Sequence, residues 1–109
     1  MTQVNYVEWQ SRDVARSKAF FSAAFGWQFT DYGPDYAAFA EGLDGGIETA
    51  LDEPRAPLVV LKTDDLAAAL DRVVAAGGEI VRPIFPFPGG RRFHFREPGG
   101  AELAVWSEV

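Results

Sequence analysis

The chain has 109 residues, of which 48 % are hydrophobic and 24 % charged, and this composition predicts one globular domain and excludes a disordered chain. The net charge of −6 would repel a phosphate backbone, so we expect no nucleic-acid partner. There is no cysteine, which excludes disulfides and thiolate metal sites. Short apolar runs and an N-terminus unlike a signal peptide lead us to expect no membrane partner and a cytoplasmic location.

An internal repeat divides the chain near its middle. Residues 5–15 and 57–67 each contain an extended apolar stretch, a polar step, and then Asp followed by an aliphatic residue and Ala. The same offset that relates Asp13 to Asp65 also relates Gly26 to Gly78. Such self-similarity is typical of duplicated units, so we predict two tandem modules, residues 1–52 and 53–109, within a single domain.

The first module begins with residues 4–10, which are rich in strand-forming side chains. Asp13 is a good N-cap, and the helix that follows carries Val14, Ser17, Phe21 and Phe25 on one face until Gly26 ends it. Three short extended segments follow, at residues 27–31, 36–40 and 46–50. The residues at 33–35 and 44–46, rich in Gly and Asp, are interpreted as turns between them.

The second module repeats this order. Residues 58–63 predict a strand, Asp64 or Asp65 caps a helix, and the last three strands are expected at 79–84, 92–96 and 101–106. The apolar segment between them, IFPFPGG at 84–90, holds prolines and glycines and is not expected to remain a ladder strand. It could be a pocket lid, a dimer contact or a loop folded onto its own core. Each half therefore reads β-α-β-β-β, and the fold class is α+β.

Several stretches carry a family resemblance. The sequences DVARSKAFF at 13–21 and FGW at 25–27 resemble the first helix of the vicinal oxygen chelate superfamily, which includes glyoxalase I, bleomycin-resistance proteins and extradiol dioxygenases. TDDL at 63–66, AAGG at 75–78 and EPGG at 97–100 resemble its second half. The resemblance implies two tandem β-α-β-β-β modules that form a cupped mixed sheet around a pocket, with the helices on the outer face.

The same resemblance implies four metal-ligand positions, and this sequence departs from them. They fall on Tyr6, Leu58, Ala104 and a position near Glu48. A transition metal needs three or four converging N, O or S donors, and Leu and Ala supply none. We therefore expect no metal and no cofactor. The alternative is a displaced site built from carboxylates and the single histidine, namely Glu8, Glu48, His94 and Glu102.

Strand alternation predicts which side chains face the cup. Phe93, Phe95 and Val105 are expected on the packed side. The predicted ligand-binding residues on the other side are Tyr6, Glu8, Lys62, Arg92, His94, Glu102 and Trp106.

Two of these predictions leave alternatives open. His94 could be a general acid or base, or it could be structural. The cationic spot of Arg91, Arg92 and Arg96 could orient a carboxylate or phosphate, or it could pair with neighbouring acidic residues. No catalytic residue is assigned.

These observations favour a metal-free small-molecule-binding protein, with an aromatic or amphipathic ligand and drug or metabolite sequestration as one version of its role. The alternative is a metal-dependent isomerase, lyase or dioxygenase that uses the displaced site. A third hypothesis makes the cup mainly a dimer surface. We expect a homodimer in any case, because the apolar residues 85–87 exceed what a small monomer usually hides.

Overall fold

The computed structural model describes residues 1–109, which form two compact units. The N-terminal unit is Tyr6–Pro57, and the C-terminal unit combines Met1–Asn5 with Leu58–Val109. The elements in chain order are β1 (Gln3–Ser11), α1 (Val14–Phe25), β2 (Thr30–Asp31), β3 (Tyr36–Phe39), β4 (Asp44–Thr49), β5 (Leu58–Lys62), α2 (Leu66–Ala75), β6 (Glu79–Phe87), β7 (Gly90–Arg96) and β8 (Glu102–Ser107). The predicted α+β class with a repeated β-α-β-β-β order is confirmed. Neither helix has the length and apolar character needed to cross a membrane.

The strands of the N-terminal unit lie in the order β2-β3-β4-β1, with β1 and β4 parallel and the other pairs antiparallel. Helix α1 begins as predicted, because the side chain of Asp13 accepts a hydrogen bond from the Arg16 backbone N–H at 3.0 Å. It ends at Gly26, whose φ of 72° is the left-handed conformation that glycine adopts without strain.

Helix α1 packs on the strands through a small core. The buried residues are Val14, Ala37, Phe39 and Ile47, and Val7, Trp9, Phe21, Trp27 and Phe29 pack against them. Phe25, which was predicted on the same helix face as Val14 and Phe21, is 67 % exposed. It lies in the last turn, where its ring lies 6.4 Å, between centroids, from those of Phe21 and Trp27.

The interpretation of residues 44–46 as a turn is also wrong, because β4 begins at Asp44 and includes both glycines. A Cβ at Gly45 would lie 2.4 Å from the Val7 carbonyl oxygen and 2.5 Å from the Phe39 ring. A Cβ at Gly46 would lie 2.0 Å from the Tyr36 hydroxyl. The two glycines are therefore strand residues that leave room for aromatic rings, Phe39 in the core and Tyr36 beside Glu8.

The strands of the C-terminal unit lie in the order β5-β8-β7-β6, with β5 and β8 parallel and the other pairs antiparallel. Asp65 rather than Asp64 caps α2, since its side chain accepts from the Ala68 backbone N–H at 3.0 Å. The core consists of Leu66, Ala69, Phe93 and Val105. Phe93 and Val105 are thus on the packed side, as the alternation predicts.

Strand β6 continues through the segment that was not expected to be a ladder strand, so that expectation is wrong. Phe85, Pro86 and Phe87 pair with Arg92, Arg91 and Gly90 of β7. Two features of β6 explain why proline is tolerated. It is the outermost strand of this unit, and its register with β7 shifts twice, between Ile80 and Arg82 and between Arg82 and Phe85.

Candidate functional site

A hydrogen-bonded chain of two tyrosines and a glutamate lies in the N-terminal unit. The Tyr36 hydroxyl donates to Glu8 Oε2 at 2.8 Å, and the Tyr6 and Tyr36 hydroxyl oxygens are 2.5 Å apart. Because Tyr36 has a single hydroxyl proton and gives it to Glu8, Tyr6 is the donor to Tyr36. We call Tyr6, Tyr36 and Glu8 the tyrosine–glutamate chain.

Burial sets the electrostatics of this chain. Glu8 is only 6 % exposed, so its carboxylate depends on hydrogen bonds for its solvation. Burial of Tyr36, reinforced by the negative charge of Glu8, raises the pKa of its hydroxyl far above the ordinary value, and Tyr36 stays a neutral donor at every physiological pH. The chain therefore holds Tyr6 in a fixed orientation.

A cavity of about 450 Å³ lies in the same unit, and Tyr6 forms part of its wall. Four aromatic residues line its walls, and two acidic residues give it negative charge. The lining residues are Tyr6, Gln28, Phe29, Thr30, Tyr32, Ala38, Phe39, Ala40, Glu41, Asp44 and Gly45. No lysine or arginine is among them, so the cavity combines apolar walls with negative charge.

Glu48, a candidate metal ligand in the sequence analysis, forms a hydrogen bond with Gln10. Its Oε1 accepts a hydrogen bond from Gln10 Nε2 at 3.1 Å, and the Gln10 amide oxygen in turn accepts from the Arg55 backbone N–H at 3.0 Å. Gln10 and Glu48 stand directly opposite each other in the β1–β4 register. Glu48 therefore helps to attach the segment after β4 rather than facing the cavity.

His94 and Glu102 meet in the C-terminal unit. His94 is 8 % exposed, and its Nδ1 lies 3.1 Å from Glu102 Oε2. The other ring nitrogen, Nε2, is buried and has no hydrogen-bond partner. Burial lowers the pKa of His94 below its ordinary value, although the Glu102 hydrogen bond acts in the opposite direction, and Arg92 and Arg82 add to the lowering. The imidazole is therefore neutral near pH 7.

Lys62, Trp106, Arg92 and Phe85 form a row across four strands, which we call the cation–aromatic row. Each pairs with the next in the strand registers. Lys62 Nζ lies 5.1 Å from the Trp106 ring centroid, and the Arg92 guanidinium lies 5.5 Å from that of Phe85. This row contains three of the predicted ligand-binding residues.

The predicted spot of three arginines does not form one group. The Arg96 guanidinium pairs with Glu79 at 2.8 Å, and Arg91 donates to the backbone carbonyl oxygen of Val109 at 3.2 Å. Arg82, which the sequence reasoning missed, is the arginine directly opposite His94, and its guanidinium lies 3.5 Å from the Phe85 ring centroid. The sequence shows an arginine in β6, but it does not show the two register shifts between β6 and β7 that place Arg82 opposite His94.

Comparison with known proteins decides the family. The family model of the Glyoxalase/Bleomycin resistance protein/Dioxygenase superfamily matches residues 3–105. The chain belongs to this superfamily. The resemblance inferred from the helix and glycine motifs is thereby confirmed.

Two relatives with differently described roles are similar in sequence to this chain. The Mycobacterium bovis protein CFP32, which bears a glyoxylase name, is 28 % identical over 115 residues, covering 94 % of this chain and 44 % of the relative. The anthracycline biosynthesis protein DnrV of Streptomyces peucetius is 31 % identical over 119 residues, covering 88 % of this chain and 43 % of the relative. The chain thus spans less than half the length of these relatives.

A solved structure agrees with the assignment. The Mn(II)-bound glyoxalase from Novosphingobium aromaticivorans is 26 % identical, with a TM-score of 0.74, and the match covers all of this chain and 40 % of that one. The similarity extends over both units of this superfamily member.

The donor set of this superfamily member does not fit a metal at the positions that the family pattern implies. Leu58 and Ala104 have no donor atom, and Ala104 is fully buried. The Tyr6 hydroxyl belongs to the tyrosine–glutamate chain, and Glu48 accepts from Gln10. We therefore assign no chemical step to a metal.

The displaced set fits no better. Glu8 accepts from Tyr36, and Glu102 bonds to His94. No three His, Cys, Asp or Glu side chains come together in a group that could hold a metal ion. What these residues can do is bind and orient a molecule through hydrogen bonds, aromatic contacts and charge.

Proposed function

We propose that this superfamily member binds a small aromatic molecule, and that binding rather than metal-dependent turnover is its activity. The observation that carries the proposal is the cavity of about 450 Å³ in the N-terminal unit. Its volume and its mixture of aromatic walls with a few polar groups are typical of small-molecule sites. The fixed Tyr6 hydroxyl gives a bound molecule one oriented polar contact.

The charge of the lining favours a cationic ligand. Glu41 and Asp44 supply negative charge at the wall, and the net charge of −6 acts in the same direction. The similarity to a protein named for anthracycline biosynthesis supports a planar aromatic ligand. Sequestration of an aromatic drug or metabolite is the role that this chemistry suits.

Fluorescence titration with daunorubicin, a planar aromatic amine, tests the proposal. We expect saturable binding that persists in EDTA. Asp44 is exposed, so Asp44→Asn should weaken binding only about 2–5-fold, the range expected for a solvent-screened charge. Asp64→Asn removes the same charge from an exposed position in the other unit and should leave the affinity unchanged.

Two results would contradict the proposal. The first is the absence of saturable binding for daunorubicin and for a neutral planar aromatic probe alike. The second is binding that EDTA abolishes and that one divalent cation restores, since the ligand would then require a metal. If Asp44→Asn and Asp64→Asn weakened daunorubicin binding equally, the ligand would not be bound in this cavity.

We also propose that the protein is a homodimer in the cytoplasm. The segment 85–87 no longer supports the dimer, because its rings are half-buried in β6. Phe20 and Phe25 of α1, at 61 % and 67 % exposed, support it instead. Sedimentation at micromolar concentration should give a dimer that Phe25→Glu weakens, and a monomeric wild type would refute the proposal.

A further inference from the structure

We propose a second binding site, in the C-terminal unit, for an aromatic hydroxycarboxylate whose hydroxyl group donates to Nε2 of His94 and whose carboxylate pairs with Arg82. This site takes an anion, whereas the cavity described above favours a cation. The two proposals rest on different residues in different units. Each can therefore fail alone.

The first argument is the unsatisfied imidazole nitrogen. Glu102 lies at hydrogen-bond distance from Nδ1, so in the neutral ring Nδ1 carries the proton and Nε2 presents a lone pair. That lone pair is buried without a partner. Buried polar atoms are rarely left unpaired, because the loss of water is not compensated. A ligand that supplies a donor would remove this penalty.

The second argument is that the neighbouring strands supply no partner for Nε2. The residues opposite His94 are Ala104 on β8 and Arg82 on β6. Alanine has no polar side-chain atom. The guanidinium of Arg82, which could donate, lies on the Phe85 ring instead. The missing donor must therefore come from outside the chain.

The third argument concerns charge and shape. Two arginines, Arg82 and Arg92, and one carboxylate, Glu102, act on His94, so positive charge is in excess among these three groups and favours an anionic ligand. Arg82 is exposed and can pair with a carboxylate through two parallel hydrogen bonds. The Phe85 ring, with its centroid 5.7 Å from that of His94, is a surface on which an aromatic ligand can stack. Together these groups select an aromatic acid with a separate hydroxyl.

Nε2 has essentially no solvent exposure, so a ligand can reach it only if a neighbouring side chain moves. Arg82 is the group best placed to open the site. Moving its guanidinium from the Phe85 ring to the ligand carboxylate would free that ring and expose the edge of the imidazole. Binding therefore exchanges a cation–aromatic contact for an ion pair and a hydrogen bond.

NMR of the wild-type protein with 4-hydroxybenzoate as the probe tests the proposal directly. His94 is the only histidine, so its imidazole ¹⁵N signals need no separation from others. We expect Nε2 to be unprotonated at pH 7 and its signal to shift on titration with the probe. Benzoate lacks the hydroxyl donor and phenol lacks the carboxylate, so each should bind at least 10-fold more weakly. An Nε2 signal that does not respond to 4-hydroxybenzoate would overturn the proposal.

Variants supply the second test, by calorimetry with the same probe. Arg82→Gln and His94→Phe should each weaken binding at least 5-fold. Arg91→Gln is the matched control, because it removes an arginine from β7 whose side chain already bonds to the Val109 carbonyl, and it should change the affinity less than 2-fold. Equal losses for Arg82→Gln and Arg91→Gln would show a general charge effect and overturn the site. The wild-type NMR result decides the matter if His94→Phe fails to fold.

Discussion

Replacing Tyr36 by phenylalanine removes a single oxygen from the middle of the tyrosine–glutamate chain. Glu8, at 6 % exposure, then loses the donor at 2.8 Å, and Tyr6 loses its acceptor. A hydrogen bond to a charged group contributes about 1.5–3 kcal/mol, and this contribution is lost although Glu8 keeps its other interactions. The ring itself is retained, so no cavity adds to the loss. We expect Tyr36→Phe to lower the free energy of unfolding by about 2–3 kcal/mol.

Equilibrium unfolding in urea, followed by circular dichroism, measures this change. With an m-value of about 1–3 kcal/mol/M, the midpoint should fall by roughly 0.7–3 M. Tyr32→Phe is the matched control, because Tyr32 is 67 % exposed, and its effect should stay within about 0.5 kcal/mol. If the two variants were equally stable, the hydrogen bond from Tyr36 to Glu8 would contribute nothing to stability, and the reasoning would be refuted.

Three further predictions follow from the strand glycine, the buried imidazole and the second helix cap. Gly46→Ala should destabilise the protein by about 3 kcal/mol, since its Cβ would lie 2.0 Å from the Tyr36 hydroxyl. The same substitution should cost much less in a Tyr36→Ala variant, which lacks the clashing ring. Equal losses of stability in the two proteins, measured by urea unfolding, would contradict this. Because burial lowers the pKa of His94 in the folded state, the unfolded chain binds the proton more readily, and the free energy of unfolding should fall as the pH drops below 6.5 and level off below the folded-state pKa. This component should vanish in His94→Gln, and a pH profile identical to wild type would exclude it. Asp65→Ala should cost about 1 kcal/mol through loss of the α2 cap, measured by thermal or urea unfolding, whereas Asp64→Ala should be nearly neutral.

The fold was predictable because its signals are local. Helix α1 begins after Asp13, whose side chain accepts a hydrogen bond from the backbone N–H of Arg16, and it ends at Gly26, which has a positive φ. Both features depend on a few neighbouring residues. Alternation placed Phe93 and Val105 in the core for the same reason. The repeated order of these local signals was sufficient for the family resemblance.

The site was less predictable because it depends on pairing between strands. Tyr36 reaches Glu8 only because β3 and β1 lie on either side of β4 and because Gly46 leaves room for its ring. A glycine pair read alone indicates a turn, and nothing in the sequence shows the ring that it accommodates. Arg82 was missed similarly, since two register shifts decide that it stands opposite His94.

The proline-containing strand β6 has a consequence for how copies of the chain can meet. Two of its nine residues, Pro83 and Pro86, have no N–H to donate to a strand of another molecule, and the two bulges distort the line of its remaining groups. Self-assembly by strand addition, the route by which many β-rich proteins form fibrils, is therefore obstructed along this border. Association of the chain at this border should therefore proceed through side-chain surfaces instead.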